Sequence, residues 1–302
     1  MMKLHFNLFF VAVVCLWGSS LHAQYVIHQE EYTVPVSYDW VPEDREFESQ
    51  QDEAKFFLNL PESKLKMSVG STEGENSIIY VSGNDVTVEG KSGSGNYTVI
   101  MNMDAGKYYY IMWPQKKIMV MTPGDLKKMQ EKSQAATDMV LKNLSPEARA
   151  QYEASLKSAK SSEGHARPTG KKAKMHDFDC EQYIVEKENE VTVVWAANDI
   201  GGVTGKIQAV SSKMADAFSS GDDEDDDEWE FVPGKIPVEV RTYRVNEWGS
   251  PEMHIMAITK IEQTTPPKDK FVLPEAAKGF TKTSMSDMMQ QMMNMMPDKD
   301  EN

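Results

Sequence analysis

Cysteine is nearly missing from this 302-residue chain, which carries Cys15 and Cys180 and no C-x-x-C pair. A disulfide framework and a thiolate zinc site are both excluded as organisers of the fold. Basic charge is also short, with 32 Lys and Arg against 47 Asp and Glu and a formal net charge of −15. A face that follows the phosphates of DNA or RNA needs the opposite balance, so nucleic acid is set aside as a partner. Long apolar runs are lacking as well. The longest, Leu8 to Trp17, falls short of the roughly 20 residues a membrane helix requires. Catalytic signatures are absent: there is no H-E-x-x-H and no G-x-S-x-G. Gly90-Lys91-Ser92 resembles the end of a phosphate loop, but Gly83 lies too far upstream and a strand follows where a helix N-terminus is needed. A hairpin turn explains these glycines better. His28, His165, His176 and His254 are scattered, which leaves no visible zinc ligand set. His176 and Cys180 would share a strand face about 13 Å apart, beyond reach as base and nucleophile. The pattern points to a protein that is not an enzyme and needs no cofactor.

What is present is an ordinary globular composition, 40% hydrophobic and 26% charged, with one anomaly, its 21 methionines. Met-rich apolar surface suits adaptable hydrophobic recognition. Residues 1–23 read as a signal peptide: Lys3, then Leu8 to Trp17, then the small-residue stretch Gly18 to Ala23. Cleavage near Ala23 gives a mature chain from Gln24, periplasmic or secreted, with no transmembrane span. Acylation of Cys15 is disfavoured because Val14 precedes it and the apolar run continues past it. Cys180 is then alone, so stability must come from a core.

Residues 24–77 are expected to hold an N-terminal strand and a weakly helical segment, Asp44 to Ala54, joining the main domain. Residues 78–284 read as an antiparallel-sheet domain. Its meander runs through Ile78–Val81, Val86–Val88, Tyr97–Met103, Tyr108–Trp113 and Ile118–Met121, with turns rich in Gly, Asn, Asp and Lys. Tyr108 to Trp113 is apolar at every position, as in a strand covered on both faces. A helical insertion follows at 125–160, restarted by Ser145-Pro146-Glu147. Ser161 to Lys174 reads as a linker. Strands resume at Cys180–Glu186 and Val191–Ala196, and an amphipathic helix is expected at 206–218. An acidic loop spans 219–230. Ile236–Val245 and Met253–Glu262 follow, with Phe271–Pro274 as a last short edge. The run Asp222 to Glu228 lacks the spaced ligands of a calcium loop and reads as a solvated loop. The tail, 285–302, is helical or disordered. Its Met288, Met292 and Met296 could present soft donors to Cu(I), against the plainer reading of an amphipathic helix packing on an apolar surface.

The order of several pieces is similar to the bacterial domain of unknown function 4412 family. They are Ala105 to Met121, Leu144-Ser145-Pro146-Glu147, Thr169-Gly170-Lys171 leading to Cys180-Glu181-Gln182-Tyr183, Val193-Val194-Trp195, Ile236-Pro237-Val238, and Phe271-Val272-Leu273-Pro274 before Gly279-Phe280. The match covers roughly residues 78 to 285 in short pieces. Phe178 stands where that family usually has a glycine. The family is itself similar to periplasmic lipoprotein carriers of the LolA and LppX type. That resemblance implies an α+β fold, an incomplete antiparallel barrel around an apolar cavity closed by helices, and carries no catalytic residue.

The residues argue the same way independently, since a long meander apolar on both faces needs its inner side covered. The available covers are the helices at 125–160 and 206–218 and the Met-rich tail. Alternation selects Tyr97, Val99, Met101, Tyr108, Tyr110, Met112, Ile118, Val120, Val193 and Trp195 as cavity candidates. Plain core packing competes at each of them. The expected function is an exported carrier or binder of a hydrophobic small molecule, lipid, acyl chain or lipoprotein in the bacterial envelope. The alternatives are an envelope module whose partner is another protein, and a metal-handling protein using its tail.

Overall fold

The computed structural model describes residues 24–68, 74–103, 105–122, 124–125, 141–142, 144–145, 147–149, 165–187, 190–199, 202, 232–245, 250–284 and 287. The expected signal peptide, most of the helical insertion, the helix at 206–218, the acidic loop and nearly all of the Met-rich tail lie outside them.

These residues form one open sheet of twelve strands. In chain order they are β1 (Gln24–Pro35), β2 (Glu75–Ser82), β3 (Asp85–Ser92), β4 (Gly95–Asn102), β5 (Lys107–Met112), β6 (Lys117–Met121), β7 (Arg167–Met175), β8 (Phe178–Glu186), β9 (Val191–Asn198), β10 (Lys235–Val245), β11 (Pro251–Gln263) and β12 (Thr281–Ser284). Two helices, α1 (Gln50–Leu58) and α2 (Glu62–Ser68), separate β1 from β2. The spatial order is β12-β6-β5-β4-β3-β2-β1-β11-β10-β9-β8-β7. Two meanders, β2–β6 and β7–β11, thus meet on either side of β1. The first strand is the seam of the sheet: it pairs from Tyr25↔Gln263 to Pro35↔Glu252 on one side and from Gln24↔Ser82 to Glu31↔Glu75 on the other. Every neighbouring pair is antiparallel except β12 with β6.

The fully apolar β5 has a use for each face, because side chains alternate across a strand. Tyr108 and Tyr110 join a large cluster with Tyr25, Ile27, Ile79, Val81, Val86, Val88, Met101, Met119 and Met121. Ile111, with Ile100 and Ile118, joins a second cluster on the opposite face, closed by Leu273, Ala277 and Phe280. Phe280 meets Trp113 edge-on at 5.5 Å, and the Trp113 indole donates to Thr98 Oγ1 at 2.9 Å. The segment 265–280 is pinned there by Thr87, whose hydroxyl donates to the Lys270 carbonyl at 2.9 Å, and by Lys270, which reaches Glu89 at 2.7 Å. Phe271–Pro274 is therefore no strand. Lys268–Phe271 is a 3-10 turn, and the edge is β12, ten residues after Phe271 at Thr281.

Two other expectations change. The Gly/Ser/Lys-rich stretch before Cys180 is not a linker throughout, since β7 occupies Arg167–Met175. As an edge strand it is exposed and basic, which protects a free sheet edge and erases the alternation by which strands are recognised. The weakly helical segment expected at 44–54 is α1, starting later at Gln50. Its start is Ser49, whose hydroxyl accepts from the Asp52 amide at 3.1 Å. Phe57, Leu58 and Leu65 from α1 and α2 bury against Val34, Val191, Val193, Tyr243, Met253 and Ile255, and Phe57 stacks on Tyr243 at 6.2 Å.

Candidate functional site

The apolar candidates divide by face. Tyr97, Val99, Met101, Tyr108 and Tyr110 come together in the large cluster across β1–β6. Met101 and Tyr108 are buried there, whereas Tyr97, Val99 and Tyr110 are partly buried and pack against it. Tyr97 and Tyr110 stack at 6.0 Å. Burial raises the phenols of both above the usual tyrosine range, with the Glu75 carboxylate adding to the effect. Met112 shares the β5 alternation with Tyr108 and Tyr110, pairs with Tyr97 and is partly buried. Val193 lies under α1 and α2, and Trp195 touches both that cluster and the large one.

Ile118 and Val120 are misplaced by one residue. Tyr110 pairs with Met119 and Tyr108 with Met121, so the face of β6 that continues the apolar cluster is Met119 and Met121, and Ile118 and Val120 lie in the opposite cluster. Five consecutive apolar or methylene-rich residues carry no alternation, and the register is set by the pairing with β5. Met288, Met292 and Met296 fall outside the described residues.

Gly90 has a role unrelated to phosphate. It pairs with Tyr97, whose ring lies so close that a β-carbon at Gly90 would stand 2.4 Å from ring carbon Cζ. The missing side chain lets the tyrosine lie across the strand.

A polar centre, which sequence spacing did not announce, interrupts this face beside Trp195. Arg241 and Glu239 on β10 are 4% and 1% exposed, and the Arg241 Nε donates to Glu239 Oε1 at 2.5 Å. Arg241 Nη1 donates to the carbonyls of Leu58 and Leu60, at 3.0 and 2.6 Å, and so fixes the corner between α1 and α2. That corner places Glu62, the first residue of α2, beside His176 and Glu239. Asn59 in the same corner accepts from Lys171 and from buried Gln182 at 2.8 and 3.0 Å. His176 is delivered by the two-residue β7–β8 turn, where His176 and Asp177 both have positive φ, 46° and 72°. Burial pushes the Glu239 carboxyl up, but His176 and Arg241 outweigh it and hold the group below its ordinary value.

A second group lies at the same level of the sheet, on β1, β2 and β11. Glu31 and Glu75 face one another across β1 and β2, and His254 Nε2 is 3.3 Å from Glu31 Oε1. Burial and the Glu31 charge raise the Glu75 carboxyl, and His254 lowers it in part. These carboxylates are 44 residues apart in sequence, so only the strand pairing makes them a pair. Cys180 is buried, and burial pushes its thiol up to about 11, which suppresses the thiolate a nucleophile requires.

No known protein family matches the sequence, and no curated protein does. Among solved structures, an uncharacterized conserved protein from Thermus thermophilus is similar over 87% of this chain and 91% of its own, at 6% identity and a TM-score of 0.38. PNGF-II is similar over 89% of this chain but 32% of its own, at 7% identity and a TM-score of 0.27. Likeness this weak says nothing about activity. Among the described residues no helix is long and apolar enough to cross a membrane.

Proposed function

We propose that the protein is an exported, non-catalytic binder or carrier of a hydrophobic ligand in the bacterial envelope, with a lipid or acyl chain as the ligand class. The observation that supports this reading is the gathering of Tyr97, Val99 and Tyr110, partly buried, on one continuous apolar face with Met101, Met119 and Met121. Rigid aromatic walls with adaptable thioethers suit an apolar chain, which needs contact area and few directed bonds. The resemblance to the domain of unknown function 4412 family and to LolA-type carriers implies the same role. The cover of this face would be an element that a ligand displaces, and the helical insertion and the Met-rich tail remain its candidates.

The test is binding of a dansyl-labelled fatty acid to the mature chain from Gln24, followed by fluorescence. Saturable binding that weakens at least tenfold when Val99 or Tyr110 is replaced by Trp supports the proposal. A parent chain that gives no saturable signal, or variants that bind as the parent does, would move the assignment to an envelope interaction module.

A further inference from the structure

The buried polar centre has an acceptor atom that the protein itself leaves unsatisfied. Glu239, only 1% exposed, receives Arg241 on Oε1, whereas its Oε2 accepts no hydrogen bond. That oxygen faces His176 Nε2 at 3.4 Å, long for a hydrogen bond. It is the spacing expected of two neighbouring ligands on a tetrahedral ion with bonds of about 2.1 Å, which puts ligand atoms about 3.4 Å apart. Glu62 completes a set whose ligand atoms all lie within 4.8 Å of one another, and it is the one such group of three found among the described residues. Trp195, paired with Glu239 across β9 and β10, also keeps a buried indole Nε1 without a hydrogen-bond partner.

We infer that Glu62, His176 and Glu239 form a site for a divalent transition ion of the zinc type. One imidazole and two carboxylates match a borderline cation better than calcium or magnesium, which take oxygen alone. Arg241 is the supporting contact: by holding Oε1 it turns Oε2 toward the site, as outer partners of metal-bound carboxylates do. The ligands come from α2, the β7–β8 turn and β10, and an ion would therefore join the edge hairpin and the helical corner to the sheet. This site adjoins the apolar face at Trp195 but uses none of Tyr97, Val99 and Tyr110, so either proposal can fail alone. It is also distinct from the methionine tail.

The experiment is calorimetric titration of chelator-stripped mature protein with zinc chloride, with cobalt(II) absorption and tryptophan fluorescence on the same preparation. The expected result is one zinc per chain, a cobalt band of four-coordinate nitrogen and oxygen ligation, and affinity falling about 100-fold or more in Glu62→Gln and His176→Gln. Glu62→Gln keeps the Glu239–Arg241 pair, so its fold is checked by an unchanged Tm without metal and by loss of the zinc-induced rise in Tm. Trp195→Phe should retain zinc and lose the fluorescence change. No zinc uptake by the parent overturns the assignment. Uptake unchanged in both ligand variants also overturns it, and places the ion in the acidic run or the tail.

Discussion

Gly90→Ala would drive a β-carbon into the Tyr97 ring, because the ring carbon would stand 2.4 Å away. Overpacking of this kind costs about 1–3 kcal/mol, to be read as a lower urea midpoint, and the double variant with Tyr97→Leu should recover most of it. Arg241 is held to more than one duty, since it neutralises Glu239 and satisfies the carbonyls of Leu58 and Leu60. Arg241→Met should cost about 3–5 kcal/mol in chemical denaturation, because a buried carboxylate is left uncompensated. Glu75 has the opposite sign. Its carboxyl is raised in the folded chain by burial and by Glu31, so folding disfavours the ionised form. The cost is absent at low pH, develops as pH rises from the ordinary glutamate value through the raised one, and is then constant. Glu75→Gln should therefore stabilise the protein at neutral pH by under about 1 kcal/mol, with the gain vanishing below about pH 4.

At the scale of elements, legibility followed exposure and register. The strands of the first meander, with turns at Gly83-Asn84 and Gly106, show in the sequence because covered faces demand apolar residues and tight turns demand glycine or asparagine. Strand β7 does not show, since an edge strand carries lysines where an inner strand carries valines. Strand β6 is legible as a strand but not in its facing, and only pairing with β5 separates Met119 and Met121 from Ile118 and Val120. The polar centre is illegible for a similar reason. Glu62, His176 and Glu239 come from three distant elements, and the nearest signal is an odd one, a His-Asp pair in a two-residue turn that usually favours Asn-Gly. Helix α1 offers a direct check on its start: Ser49→Ala removes the acceptor for the Asp52 amide and should cost about 1 kcal/mol. A urea melt of that variant should move with no change in m-value, since α1 is anchored independently by Phe57 and Leu58.

At the scale of the whole molecule, the described residues form a sheet sewn from two meanders along β1, with different contacts on its two faces. One face near β3–β6 is closed by the 265–280 segment through Phe280, Leu273 and Lys270. The other carries the aromatic and methionine surface, interrupted at Trp195 by a buried charge network. The core residues of that cluster are buried, so the carrier proposal requires that what packs on Tyr97, Val99 and Tyr110 can be displaced by apolar cargo. Native mass spectrometry of the chain from Gln24, produced in a bacterial host, tests for that cargo most directly. A carrier should show a stoichiometric adduct whose mass matches a lipid recovered by organic extraction of the same sample. A single apo mass that stays unchanged after incubation with phospholipid and fatty acid would contradict the carrier role.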